Sequence, residues 1–309
     1  GSGDDPPPDP TPSPSPSPSP SGDPVILTAG DIACDPGDSN YNNGQGTASA
    51  CEMLATSKLL TQGNPTTVLS LGDHQYDDAT LAKFKASYDP TWGQVKSITR
   101  PIPGNHEYDD FENSQPAYGY FTYFGSAAGD PAKGYYSFNL ANNWHVIVLN
   151  GECSEVGGCG AGSPQEAWLR SDLAANSGKH ILAAWHEPRF SSGPVSDNYT
   201  YDAFWQDLYA ANADLILNGH DHVYERYTQM DPNGQADPSG IREFVVGTGG
   251  ADHVDFSTAK PANEQVRDNT TFGVLKLTLR ASSYDWQFMP ANQSGNGTFT
   301  DSGSQATHS

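Results

Sequence analysis

Four short apolar runs in this chain each stop at a glycine or at a polar residue able to bind a metal, and this repeated arrangement limits the fold more than any other feature. Val25-Ile26-Leu27-Thr28-Ala29 runs into Gly30-Asp31, and Thr67-Val68-Leu69-Ser70-Leu71 into Gly72-Asp73. Ile181-Leu182-Ala183-Ala184-Trp185 runs into His186, and Leu215-Ile216-Leu217-Asn218 into Gly219-His220. Runs of this length, bounded by glycine or proline, read as strands buried on both faces. In layered α/β folds the ends of such strands form the ligand crevice, so residues far apart in sequence reach one place.

Five segments carry the polar residues: Gly30-Asp31, Gly72-Asp73-His74-Gln75-Tyr76, Gly104-Asn105-His106-Glu107, Trp185-His186-Glu187-Pro188 and Gly219-His220-Asp221-His222. A lone Gly-Asp pair says little, because both residues are common in turns. His220 and His222 are two apart, which also suits ordinary packing on one face of an extended strand. The coincidence of all these segments, in order, points to a site. Asp, Asn, His and Tyr side chains converging there can hold two hard or borderline metal ions, a pair suited to in-line displacement at phosphorus.

This set resembles the calcineurin-like metallophosphoesterase superfamily and, more closely, its purple acid phosphatase branch. The narrower likeness rests on Tyr76, three residues after Asp73, and on Ala33 standing where the wider superfamily usually has a histidine, two residues after Asp31. The likeness runs from about Val25 to Pro290 and suggests a secreted bacterial type. It implies one metal held by Asp31, Asp73, Tyr76 and His222, and a second by Asp73, Asn105, His186 and His220, with Asp73 bridging. A phenolate ligand favours a trivalent ion, so iron(III) is implied at the first site, with iron(II), zinc or manganese at the second.

The formal net charge of -22 would repel anions over long range, but salt screens this beyond roughly 8 to 10 Å. At the site, the two ions and their anionic ligands leave about +1 to +2, which favours phosphate. The expected chemistry is hydrolysis of phosphate monoesters by a metal-bound hydroxide, with Asp73 and His106 as the catalytic pair of positions. His106 lies beside the ligand Asn105 without a ligand role of its own, and is the expected phosphate contact and leaving-group acid. Glu107 is expected to orient His106 from behind. Plant and animal members of the branch carry histidines in the loop after the fourth segment; here residues 188–196 have none, and Arg189 is the alternative phosphate grip.

Other residues have blander readings. His253, after Gly247-Thr248-Gly249-Gly250, reads equally as a group bracing the site or as a loop residue. His74 reads as a rim residue, His145 and His180 as structural, and His308 as part of an inert tail. Glu225 and Arg226 are expected to brace the loop after His222 by pairing with each other. Trp92, Trp144, Trp168, Trp185 and Trp205 are core candidates.

Residues 1–24 open with Gly1-Ser2-Gly3, which reads as a cloning remnant, and continue with repeated Pro-Ser pairs. Such a stretch cannot bury apolar area and reads as a disordered, extended linker that can tether another module. Residues 25–309 form the expected catalytic domain. Cys34 with Cys51 and Cys153 with Cys159 each flank a polar or glycine-rich loop, so local disulfides are favoured among three connectivities, with free or metal-binding thiols as the alternative. Together with the acidic charge this points to a secreted, extracellular protein, and no apolar run reaches the length of a membrane span.

Helices are expected at Thr47 to Leu60, within Leu81 to Val95, and at Gln165 to Ala175 and Asp202 to Ala211, with Ser163-Pro164 as cap and first position of the third. Tyr135 to Leu140, Trp144 to Leu149, Phe272 to Leu279 and Tyr284 to Phe288 read as hairpin strands. The fold class expected is α/β: two mixed sheets face to face with helices outside, a four-layer α-β-β-α sandwich. The expected partner is a small phosphorylated substrate. Only 15 Lys and Arg are spread over the chain, which argues against nucleic-acid binding. A phosphodiesterase using the same ligands, or a non-catalytic module that binds a phosphorylated polymer, are the rival readings.

Overall fold

Alternation of the buried side chains sets the layers. The computed structural model describes residues 22–309, so the Pro/Ser-rich linker expected at 1–24 lies outside the described residues apart from Gly22–Pro24. One sheet is six-stranded, in the order β13 (Ser302–Ala306), β12 (Ser283–Pro290), β11 (Gly273–Leu279), β1 (Val25–Ala29), β2 (Thr67–Ser70) and β3 (Thr99–Pro101). The other is seven-stranded: β10 (Glu264–Asp268), β8 (Tyr224–Tyr227), β9 (Arg242–Val246), β7 (Leu215–Asn218), β6 (His180–Ala184), β5 (Trp144–Val148) and β4 (Tyr136–Leu140). Both are mixed. β1, β2 and β3 run parallel, as do β5, β6, β7 and β9, while the outer strands join antiparallel.

Val146, Val148, Leu182, Ala184, Leu215 and Leu217 face inward and pack in the cluster between the sheets, with Ile26 and Leu69 from the first sheet. Their neighbours Ile147, Ile181, Ala183 and Ile216 face outward into a second cluster with Leu169, Phe204, Trp205 and Leu208. Those last residues belong to the helices Pro164–Ala175 and Asp202–Ala210, which cover that face. Strands buried on both faces are what the unbroken apolar runs demand. The result is the α-β-β-α sandwich.

Local chemistry sets the helix ends. Ser163 accepts the backbone N–H of Glu166 at 3.3 Å ahead of Pro164, a cap that stabilises by about 1 kcal/mol. The helix expected from Thr47 starts only at Met53. Cys51, disulfide-bonded to Cys34 and with φ at 60°, turns the chain just before it. The segment Leu81 to Val95, expected to contain a helix, holds Leu81–Lys83 running into a wide turn Phe84–Tyr88; Pro90, which removes a donor and clashes with the preceding turn, separates these from the tight helix Trp92–Ile98.

The tail read as inert is built in: β13 extends the first sheet, and Asp301 holds Arg226 at 2.7 Å. Glu225 and Arg226 therefore do not pair with each other as expected. They alternate across β8, Arg226 toward Asp301 and Glu225 toward Ser191 and Ser192 on the other face. Trp92, Trp144, Trp185 and Trp205 are fully buried.

Candidate metal centre

The C-terminal ends of β1, β2, β3, β6 and β7 lie at one edge of the paired sheets, and the polar segments follow them directly. Asp31, Asp73 and His220 have φ of 62°, 50° and 70°. Left-handed backbone at three non-glycine residues of one site is the kind of strain that clusters where function fixes geometry. Two glycines allow the close approach. A Cβ on Gly72 would lie 2.4 Å from His186 Nδ1, and one on Gly104 would lie 2.4 Å from Asp73 Oδ1.

Two groups of donor atoms result, and they share Asp73. In the first, the Tyr76 hydroxyl lies 3.0 Å from Asp31 Oδ1, 3.3 Å from Asp73 Oδ2 and 3.1 Å from His222 Nε2, while His222 Nε2 is 3.2 Å from Asp31 Oδ1. In the second, His186 Nε2 is 3.0 Å from Asp73 Oδ2, and His220 Nδ1 is 3.2 Å from His186 Nε2 and 3.1 Å from Asn105 Oδ1.

The donor set fits metal ions. The Leu71 carbonyl, 2.6 Å from His186 Nδ1, can only accept, so that nitrogen carries the proton and Nε2 turns toward Asp73 and His220. Facing acceptors need a shared proton or a cation between them. Carboxylates, an amide oxygen, a phenol and imidazoles suit hard to borderline ions, and Asp73, His186 and His220 offer ligand atoms all within 4.8 Å of one another.

The electrostatics agree with such a role. Burial would lower the His186 imidazole, but the carboxylates of Asp73 and Asp31 hold it well above its ordinary value. Burial would raise Asp73, and the imidazoles of His186 and His106 pull it below the usual carboxylate range. Burial, then the Asp31 and Asp73 charges, drive Tyr76 far up, so without a competing cation it stays a phenol. Burial and neighbouring His186 lower His220, which favours its neutral, lone-pair form.

His106 sits above this group, its ring 4.4 Å from that of Tyr76. Its backbone N–H donates to Asp73 Oδ1 at 2.9 Å, and its Nδ1 pairs with the Asp77 carbonyl. Burial lowers His106, but Asp73 and the Asp77 carbonyl outweigh it and raise the imidazole above its ordinary value.

Several expectations are displaced. Glu107 does not orient His106; its buried carboxylate accepts the N–H groups of Asp73 at 2.8 Å, His74 at 3.1 Å and Gly104 at 2.9 Å. His74 is no rim residue but fully buried, 3.0 Å from Glu107 Oε1 and 2.6 Å from Ser70 Oγ, among the rings of Phe84, Tyr88, Tyr120 and Phe124. Arg189 is buried with its guanidinium 4.2 Å from the rings of both Phe190 and Tyr199 and 3.9 Å from Asp202, a packed stem rather than a phosphate grip.

His253 stacks on Phe272 at 3.8 Å. The residue before it, Asp252, touches the site: its Oδ1 pairs with His222 Nδ1. Sequence reasoning missed Asp252. The available signal was its place after the glycine-rich run, since a metal-binding imidazole needs an acceptor on its other nitrogen. Glu152 was also missed. It follows β5, just ahead of the loop closed by Cys153–Cys159, and burial pushes its carboxyl up to about 7 against the pull of His186.

A model of the calcineurin-like phosphoesterase family matches residues 24–224, more than half of the chain. The chain belongs to the calcineurin-like phosphoesterase family. Among its relatives in this family, purple acid phosphatase 15 of Arabidopsis thaliana is 26% identical over 224 residues, covering 62% of this chain and 41% of that protein. Purple acid phosphatase 18 of the same plant is 29% identical over 129 residues, covering 40% and 28%. The chain thus spans less than half the length of these relatives. The purple acid phosphatase PPD1 from yellow lupin (Lupinus luteus) seeds superposes with a TM-score of 0.68 at 19% identity, over 93% of this chain and 55% of that one. A dimetal phosphatase from Danio rerio superposes with a TM-score of 0.59 at 14% identity, over 87% and 96%. Such likenesses establish the shared phosphoesterase fold.

Proposed function

We propose that this chain is an exported two-metal phosphatase that hydrolyses phosphate monoesters, of the purple acid phosphatase type. The observation that carries the reading is the meeting of Asp31, Tyr76 and His222 on one side of Asp73 with Asn105, His186 and His220 on the other. Asp31, Asp73, Tyr76 and His222 would hold one ion, and Asp73, Asn105, His186 and His220 the other. A phenolate from Tyr76 favours iron(III), with iron(II), zinc or manganese as its neighbour. Bound there, the two ions would lower the pKa of water and neutralise the charge that develops at phosphorus.

The chain's own groups do the rest. The Leu71 carbonyl and the Asp252 carboxylate fix the tautomers of His186 and His222. Glu107 clamps the backbone on either side of the Asp73 side chain. His106 has its Nδ1 tied to Asp77, and among the described residues its Nε2 has no protein partner. That nitrogen contacts the phosphoryl group and gives a proton to the leaving oxygen. The disulfides Cys34–Cys51 and Cys153–Cys159 support an oxidising compartment.

The test is turnover of an aryl phosphate monoester and the matching diester on metal-analysed protein across acid to alkaline pH. Strong monoester preference supports the proposal. Diester preference would make the chain a phosphodiesterase, and no turnover by fully metallated protein would leave a binding module.

A further inference from the structure

Resting on that reading, we propose a substrate class: phosphate esters that carry one phosphoryl group on an uncharged or cationic alcohol, with polyphosphorylated and other polyanionic esters disfavoured. The acidic residues invoked are not a binding site in themselves. They set the field at the mouth of the metal centre.

Several carboxylates border the donor atoms. Asp109 Oδ2 lies 3.6 Å from His106 Nδ1, and its side chain is 60% exposed. Asp252 pairs with His222 and is 56% exposed. Asp77, whose carbonyl holds His106, is exposed. Glu187, next to His186, acts electrostatically on His220. The Tyr201 hydroxyl ties this edge together, donating to the Gly151 carbonyl at 2.8 Å and lying 3.4 Å from Glu187 Oε2. Glu152, one residue on from Gly151, lies within the fields of His186 and Asp73.

No lysine or arginine among the described residues bonds to any of these groups. Lys83, beside the Asp77 segment, is held between Asp35 at 2.6 Å and Asp78. Arg189, directly after the fourth ligand-bearing segment, is turned into the Phe190 and Tyr199 rings and is 3% exposed. The positive charge of a loaded site is therefore confined to its centre and ringed by carboxylates.

Asp109, 3.6 Å from His106, and Asp252, against His222, lie well inside the roughly 8 Å screening length of physiological salt, so they act on whatever projects from the bound phosphoryl group. One phosphoryl group reaches the centre. A second phosphate, or a carboxylate or sulfonate on the leaving group, is left among carboxylates with no cation to receive it. A neutral alcohol meets no penalty and an ammonium group is attracted.

The experiment has a binding arm and a turnover arm. By calorimetry on metal-loaded protein, orthophosphate should bind at least as tightly as tripolyphosphate. Matched alkyl phosphate monoesters ending in a trimethylammonium or a sulfonate group should differ on the order of tenfold in kcat/KM at low salt, the cationic ester ahead. Salt should narrow this ratio, and so should the double substitution Asp77→Asn with Glu187→Gln, with metal content measured in parallel. Tighter binding of tripolyphosphate, or an anionic ester turned over as well as the cationic one, would overturn the proposal. If no monoester is turned over, the phosphatase reading falls while the binding arm still decides this one.

Discussion

The carboxylate of Glu107 accepts the backbone N–H of Asp73 at 2.8 Å and thereby fixes the residue that both groups of donor atoms share. The same carboxylate takes the N–H of Gly104, at the entry to the Asn105 segment, at 2.9 Å, so one buried side chain sets the distance between two ligand-bearing loops.

Replacing Glu107 by Gln turns an amide donor toward backbone donors. Leaving buried N–H groups unpaired costs about 1–3 kcal/mol, and loosened support for ligands typically costs about 10–100-fold in metal affinity. Thermal unfolding and metal titration of Glu107→Gln should show both losses. A variant with normal metal affinity would mean that Glu107 serves the fold alone.

His106→Ala should separate binding from chemistry. The substitution removes none of the proposed ligand atoms, so metal content should stay near that of the parent, while loss of a proton donor should lower kcat by about 10²–10⁴-fold. Metal analysis and turnover on the same preparation check this. Loss of metal with unchanged activity per metal would assign His106 to the ligand set instead.

A proton is stored away from the centre. Ser192 Oγ, with a single hydroxyl proton, lies 2.9 Å from Glu225 Oε1 and 2.9 Å from Glu264 Oε1. One carboxyl must supply the other proton. Burial, and then the neighbouring Glu225, push Glu264 up to about 9. A carboxyl whose folded pKa lies above its unfolded value binds an extra proton when folded, so its contribution to stability falls as pH rises from the unfolded value toward the folded one. Between about pH 5 and pH 9 the parent should lose thermal stability relative to Glu264→Gln, whose amide does not titrate. Parallel curves for the two proteins would contradict this.

Much of the layered architecture and the converging segments could be read from the sequence, because both are local signals. Val25–Ala29 and its counterparts announce buried strands by composition, and Gly72 or Gly104 beside a polar residue announces a close approach. What could not be read depends on partners far away in the chain. Glu107 reaches Asp73 across 34 positions and Asp252 reaches His222 across 30. His74 looks polar and exposed until an aromatic cage closes around it. Arg189 looks free until Tyr199 folds over it. β13, with the sequence Ser-Gly-Ser-Gln-Ala, has no apolar rhythm and becomes a strand only because β12 offers an open edge. Glu225 and Arg226, adjacent in sequence, are parted by the strand pleat.

The claim that one two-metal centre is built around Asp73 is tested most directly by counting metal ions per chain in the purified parent and in Asp73→Ala, each after equilibration with iron and zinc and removal of loosely bound ions. The account predicts two ions per parent chain and loss of both in the variant, since the shared carboxylate belongs to both donor groups. A parent that holds one ion or none, or a variant that keeps both, would contradict it.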